Sequence, residues 1–181
     1  SGRETSPGEM LRFAGCLMVI GATTLSGIKK ASDIREGYRQ MQEIQRLMYQ
    51  IQSEIRYARS YLGEIFSHIG RRSVQPYQNW LLDLSGQMGR RENGVFAQMW
   101  EEGIQKNLGG LKIPAKEADR LKALGSQLGN LDVQMQIKTL DLYQEQLAQS
   151  MEEMRGEMKT KIRLCHCLGV MCGMLIAVLL L

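Results

Sequence analysis

Between Lys29 and Leu164 this 181-residue chain has no cysteine and a single histidine, His68. No disulfide framework can hold that stretch, and most nucleophile–base pairs of covalent catalysis are missing from it. The G-x-x-x-x-G-K-[ST] phosphate loop, the G-x-G-x-x-G turn, H-E-x-x-H and C-x-x-C are all absent. Carboxylates are plentiful, but Glu101-Glu102 and Glu152-Glu153 read as solvated helix faces. The chain therefore reads as a non-enzyme with no cofactor and no catalytic or metal-binding set. Apolar residues do not alternate with period two, so no sheet is expected. The net charge of +4 is small and comes largely from cations beside the apolar ends. No basic stripe is interleaved with aromatics, which excludes an ordinary nucleic-acid interface.

The last absence is of charge at the two ends. Met10 to Ile28 carries only Arg12, and Cys165 to Leu181 carries none apart from His166. A bilayer core of about 30 Å needs about 20 helical residues, with about 17 as the lower limit. The first segment reaches that length and the second sits at the limit. A cleaved signal peptide fits the first poorly: the run is long, no clean small-x-small site follows, and Lys29-Lys30 would oppose export. Lys29, Lys30, Arg35 and Arg39 follow the first segment, and Arg155, Lys159, Lys161 and Arg163 precede the second. This asymmetry predicts a cytoplasmic middle with both termini outside. The expected division is a tail or cloning remnant at 1–9, transmembrane helix 1 at 10–28, a cytoplasmic bundle at 29–164 and transmembrane helix 2 at 165–181.

The middle has roughly 135 residues, enough for a small helical core. Met41, Ile44, Met48, Ile51, Ile55, Ala58, Leu62, Ile65 and Ile69 alternate steps of three and four, a heptad seam. Its helix is expected to begin with Ser32 or Asp33 as N-cap, and the spacing allows it to run to Gly70. A second seam, Val133, Ile137, Leu140, Leu147, Met151, Met154 and Met158, has Gln144 in the remaining slot. The simplest arrangement pairs the two helices antiparallel; self-association through the same seams is the rival. Three shorter helices are expected between them. One follows Pro76 with Trp80, Leu81, Leu84 and Met88 inward. The next spans Val95 to Leu108 with Phe96, Met99, Trp100 and Ile104 on one face. The third follows Pro114 with Leu121, Leu124 and Leu128 inward. Gly125 and Gly129, four apart, suit a close helix–helix approach.

Among candidate sites, Cys165-His166-Cys167 has its thiols two residues apart, on nearly opposite sides of a helix, so they cannot share one ion. Arg71-Arg72 and Arg90-Arg91 lie at loops. They are either solubilising charge or the contact for an acidic partner at the membrane-distal tip or flank. Gly169-x-x-x-Gly173 forms a small-residue face that can pack on Ala22 and Ser26 or on another protein.

Several motifs resemble one family. Glu54-Ile55-Arg56-Tyr57, Trp100, the run Leu121-x-x-Leu-Gly-x-x-Leu-Gly-x-x-Asp132 with Gln134 and Gln136, and Leu168-Gly169-x-x-x-Gly173 are similar to the stage III sporulation protein AB family of endospore-forming bacteria. In that family a Thr-Pro pair often follows the E-I-x-Y element and starts a new helix. Ser60-Tyr61 stands there in this chain, so the first helix either breaks with Ser60 as cap or continues. The resemblance implies residence in the mother-cell membrane around the forespore, within an assembly joining the two cells. It also implies a bundle similar to the F-type inner-membrane platform protein of type II secretion. By that analogy the partners are a secretion-type ATPase (stage III sporulation protein AA), other membrane subunits and the lipid bilayer, with homo-oligomers possible.

The expected protein is an all-α antiparallel bundle flanked by two transmembrane helices, acting as a platform that docks the ATPase to a membrane channel. A membrane-tethered coiled-coil stalk or structural scaffold without a motor partner is the alternative. Arg71, Arg72, Arg90 and Arg91 are the expected partner contacts. Glu54, Tyr57, Trp100, Gly125, Gly129 and Asp132 are expected to hold the fold, and Ala22, Ser26, Gly169 and Gly173 to pack membrane helices.

Overall fold

A computed structural model describes residues 6–58, 60–90, 95–129 and 132–180. Six helices run through them: α1 (Pro7–Tyr57), α2 (Leu62–Gly70), α3 (Tyr77–Gly89), α4 (Phe96–Leu108), α5 (Ala115–Leu128) and α6 (Val133–Leu180). Each helix packs on its neighbours in sequence, and the ring closes with α1 against α6, the most extensive contact of all.

The 51-residue α1 starts with Pro7 in its first turn, where a missing N–H costs nothing. The Ser6 carbonyl accepts the first bonds, from Glu9 at 2.9 Å and Met10 at 3.3 Å. The helix then passes through Ser32 and Asp33 without a break, which corrects the expected N-cap there. A capping residue starts a helix only where the preceding residue is non-helical; here the apolar segment feeds the ladder from upstream. Among the described residues, α1 is the helix long and apolar enough to cross a membrane, and the apolar window is wholly exposed. Its later half buries Met41, Ile44, Leu47, Met48, Ile51 and Ile55.

The first seam does not stay in one helix. α1 ends at Tyr57, where the Ala58 N–H donates to the Glu54 carbonyl at 2.9 Å. α2 begins after Tyr61, whose carbonyl accepts from Glu64 and Ile65. Tyr61, not Ser60, is thus the capping position. Folding back lets Ile65, Phe66 and Ile69 face the bundle and lays α2 against α3. A straight continuation would have carried them past its end. The chain between the long helices therefore holds four short helices, one more than expected.

The second seam is continuous in the 48-residue α6. Leu140, Leu147 and Met151 are buried, with Ile137 and Met154 half-buried beside them; Val133 is exposed at the start. Gln144 is buried, as its heptad slot requires, and its Nε2 donates to Gln52 Oε1 at 3.0 Å. Gln52 Nε2 in turn donates to the Ile137 carbonyl at 3.0 Å and to Asp141 Oδ1 at 2.5 Å. One polar layer inside an apolar seam fixes its register, because any slip buries these amides against hydrocarbon. Within the chain the two seams pair with each other, antiparallel, as the simplest arrangement expects.

The short helices fill the ring. Trp80 and Trp100 meet edge to face at 4.8 Å between centroids, with Phe66 and Phe96 within about 6 Å of Trp100. Trp100 Nε1 donates to the Leu121 carbonyl at 2.7 Å. α5 comes this close because Gly125 and Gly129 have no side chains; a Cβ there would strike Trp100 and Phe96 respectively. The apolar parts of α1 and α6 emerge together from one end of the bundle, the near end. There the α4–α5 connection docks on α1, with Lys112 N–H donating to Gln40 Oε1 at 2.6 Å.

Candidate functional site

The motif that carried the family resemblance is architectural throughout. Leu121, Leu124 and Leu128 are buried core, and the two glycines admit the aromatic rings. Asp132 Oδ1 accepts the Met135 N–H at 2.8 Å, capping α6. Gln136 Nε2 donates to the Leu128 carbonyl at 3.0 Å, satisfying an acceptor that the end of α5 leaves open. Glu54 Oε1 lies 3.3 Å from His68 Nδ1, tying α1 to α2. Tyr57 departs from its expected role. It is 76% exposed, because it stands two residues past Ile55 and so points away from the seam.

The expected partner residues lie at two levels of the bundle. Arg71 and Arg72 are exposed just after α2. That turn is followed by Val74 to Tyr77, which lie against Glu36–Glu43 of α1, and Tyr77 donates its hydroxyl to the Gln40 carbonyl at 3.2 Å. Arg90, also exposed, follows the end of the 13-residue α3, whereas Gly70, next to Arg71, packs on Leu81 and Leu82 in the middle of that helix, about 12 Å back along its axis. Arg91 lies outside the described residues. Arg71 and Arg72 thus flank the middle of α3, while Arg90 is at its far end. The small-residue faces are unoccupied: Ala22 and Ser26 are exposed, and a Cβ on Gly169 or Gly173 would meet nothing within 4 Å. The four cysteines, Cys16, Cys165, Cys167 and Cys172, are exposed and unpaired.

A concavity among the described residues lies elsewhere. A cleft of about 450 Å³ opens at the near end between α1, α5 and α6. Lys30, Asp33 and Ile34 line it from α1, Lys116 and Glu117 from α5, and Ser150, Glu153 and Met154 from α6. Rim charges already pair, Lys112 with Asp33 at 4.0 Å and Lys161 with Glu157 at 3.9 Å. Glu117 is only 2% exposed. Its Oε1 accepts from Ser150 Oγ at 2.7 Å and from Arg120 at 2.8 Å, and Arg120 also reaches Ser150 at 3.2 Å. Its Oε2 is buried without a partner. Tyr143 is buried nearby, and burial, reinforced by the Glu117 charge, holds its hydroxyl protonated well above the ordinary tyrosine range. Glu117 was missed in the sequence although a signal exists. It precedes Leu121 by four, so it stands on the inward stripe of α5, where a carboxylate needs partners.

Among the described residues no group of three or more His, Cys, Asp and Glu is placed to hold a metal ion. The family model described as "Stage III sporulation protein AB" matches residues 12–181. The chain belongs to the stage III sporulation protein AB family. The Stage III sporulation protein AB of Bacillus subtilis (strain 168) is 25% identical over 171 residues, 94% of this chain and 99% of that protein. A solved structure of Stage III sporulation protein AB matches with a TM-score of 0.61 at 22% identity, covering 68% of this chain and 97% of that one. At that identity the match speaks to the fold, which is the all-helical one described above. The relatives are named as sporulation proteins, and those names carry no catalytic activity.

Proposed function

We propose that this member of the stage III sporulation protein AB family is a non-enzymatic platform. It sits in the mother-cell membrane around the forespore and docks a secretion-type ATPase to a membrane assembly. The observation that supports this reading is the continuity of the long helices. α1 passes from its exposed apolar half into the core without a break, and α6 passes from the core into the exposed apolar stretch with Leu168, Met171 and Leu175. On this reading both ends are membrane helices, and the bundle is an extension of its anchors rather than a domain on a linker. A load applied to the bundle then reaches the bilayer through hydrogen-bonded helix. That suits a coupling subunit and does not require chemistry.

The test is association of the full-length chain, in detergent or nanodiscs, with the purified stage III sporulation protein AA ATPase. A saturable complex that alters ATP turnover is the expected result. No complex between the pure proteins would refute the docking role. Sedimentation of the chain alone separates the platform from a stalk: a compact monomer is expected, and an elongated dimer would favour the scaffold without a motor.

A further inference from the structure

The two seams do not stop where the tight packing stops. Counted back from Met41 in steps of four and three, the first passes Gly37 and Ile34 and arrives at Lys30. Counted on from Met151 in steps of three and four, the second passes Met154 and Met158 and arrives at Lys161. Both lysines thus stand on the inward stripe of their helix, in slots that a heptad seam otherwise fills with apolar residues. They also stand at one level. Gln52 and Asp141 are bonded across the pair, and Lys30 lies about 33 Å from Gln52 along α1, Lys161 about 30 Å from Asp141 along α6. Both line the near-end cleft, with Ile34, Pro114 and Met154.

Two cations on facing stripes repel each other unless negative charge lies between them. The protein supplies little of it. Among the described residues Lys30 makes no ion pair. Lys161 reaches Glu157 at 3.9 Å, an exposed pair within one turn of its own helix, of the kind that contributes little. Asp33 is answered by Lys112 at 4.0 Å, and Glu117 by Arg120, its second oxygen being sealed from the cleft. Glu153 lies about 12 Å deeper along α6 than Lys161. Around the mouth, residues 29–35 and 157–163 set Lys29, Lys30, Arg35, Lys159, Lys161 and Arg163 against Asp33 and Glu157. The mouth is therefore electropositive. Directly beyond it stand the exposed apolar side chains of Leu25, Ile28, Leu164 and Leu168. The occupant that satisfies both surfaces is anionic at one end and apolar at the other.

We propose that the mouth of this cleft binds an anionic phospholipid, its phosphate held between Lys30 and Lys161 and its acyl chains lying along the exposed apolar stretches of α1 and α6. The inference rests on the reading that those stretches are membrane helices, and on nothing about the ATPase. Basic pockets between membrane helices on the cytoplasmic side take anionic headgroups for the same reason. Depth agrees. Lys30 is two residues past Ile28, about 3 Å along the axis, and Lys161 is four residues before Cys165, about 6 Å. A headgroup layer extends about 5–8 Å beyond the hydrocarbon, so one phosphate reaches both lysines without leaving it. The cleft, at about 450 Å³, has the size of a small-molecule pocket.

The test places the full-length chain in phosphatidylcholine nanodiscs and replaces that lipid stepwise with phosphatidylglycerol. The readout is the methyl signals of Ile34 and Met154, which line the cleft, with buried Ile65 as a remote control that also reports folding. Saturable shifts confined to the cleft are expected at a low fraction of phosphatidylglycerol. Lys30→Gln with Lys161→Gln should raise the half-saturating fraction at least about tenfold. Lys29→Gln with Lys159→Gln removes the same charge at the same level outside the cleft, and should change it by less than about twofold. Equal effects of the two pairs would overturn the site and leave only diffuse attraction to the collar of cations. Inorganic phosphate that produces the same shifts in pure phosphatidylcholine discs would overturn the lipid as occupant. A chain that enters those discs and ignores phosphatidylglycerol overturns this site alone; one that does not enter them overturns the membrane reading with it.

Discussion

Replacing Gly125 by alanine tests the packing at its tightest point. The new methyl would fall on the Cγ and Cδ1 edge of Trp100, and the ring has nowhere to retreat. It is fully buried, with Trp80, Phe66 and Phe96 around it and its Nε1 committed to the Leu121 carbonyl. Overpacking of this kind costs about 1–3 kcal/mol. Loss of the indole hydrogen bond adds about 1 kcal/mol. Removing a glycine from a helix interior returns about 1 kcal/mol. The expected net loss is about 1–3 kcal/mol. Gly156→Ala is the matched control, since a Cβ there meets nothing within 4 Å on the exposed middle of α6. It should stabilise by about 0.5–1 kcal/mol through propensity alone. Urea unfolding of the full chain, followed by tryptophan fluorescence, reads both substitutions against the same core. Gly125→Ala at or above wild-type stability would refute the close-approach argument, because the two glycines would then differ only in name.

Three further outcomes follow from the same structure. Gln52→Leu should destabilise by about 1–3 kcal/mol, because Gln144 loses its acceptor inside the seam and Asp141 loses its donor; unchanged unfolding would show that the polar layer is idle. Arg71→Glu, Arg72→Glu and Arg90→Glu together should weaken ATPase association at least about tenfold, read by co-sedimentation; unchanged binding would remove these arginines as the contact. Tyr77 and Tyr143 have hydroxyl pKa values raised above the ordinary tyrosine value by burial. Their neutral forms are therefore favoured on folding. That contribution is complete below about pH 10 and is lost as pH rises through the raised values, so Tyr143→Phe should flatten the alkaline loss of stability. A pH–stability profile identical to wild type would count against it.

The parts of the fold written in spacing could be read directly. Steps of three and four put Met41 to Ile55 and Leu140 to Met151 on single faces, and the facing seams then follow from burial alone. The glycine pair was legible because only close approach explains two small residues one turn apart. The break after Tyr57 was not legible: Leu62, Ile65 and Ile69 keep the phase of the first seam, so periodicity runs straight across a reversal of direction. Ser32 and Asp33 misled for the opposite reason, as good caps stranded inside an uninterrupted ladder. The arginine pairs showed their chemistry but not their separation, which is set by the direction of α3. Glu117 was visible as a carboxylate on an apolar stripe, yet its open oxygen depends on Ser150, 33 positions away.

The uninterrupted α1 also makes the molecule a lever. From Ile28 to Tyr57 it extends about 44 Å, so a tilt of about 5° at the Ile28 end displaces the far tip by about 4 Å. Because Gln52 and Gln144 lock α1 to α6, the two long helices swing as one piece instead of sliding past each other. A partner seated at the tip would therefore feel small rotations of the apolar half of α1 as displacements the size of a side chain.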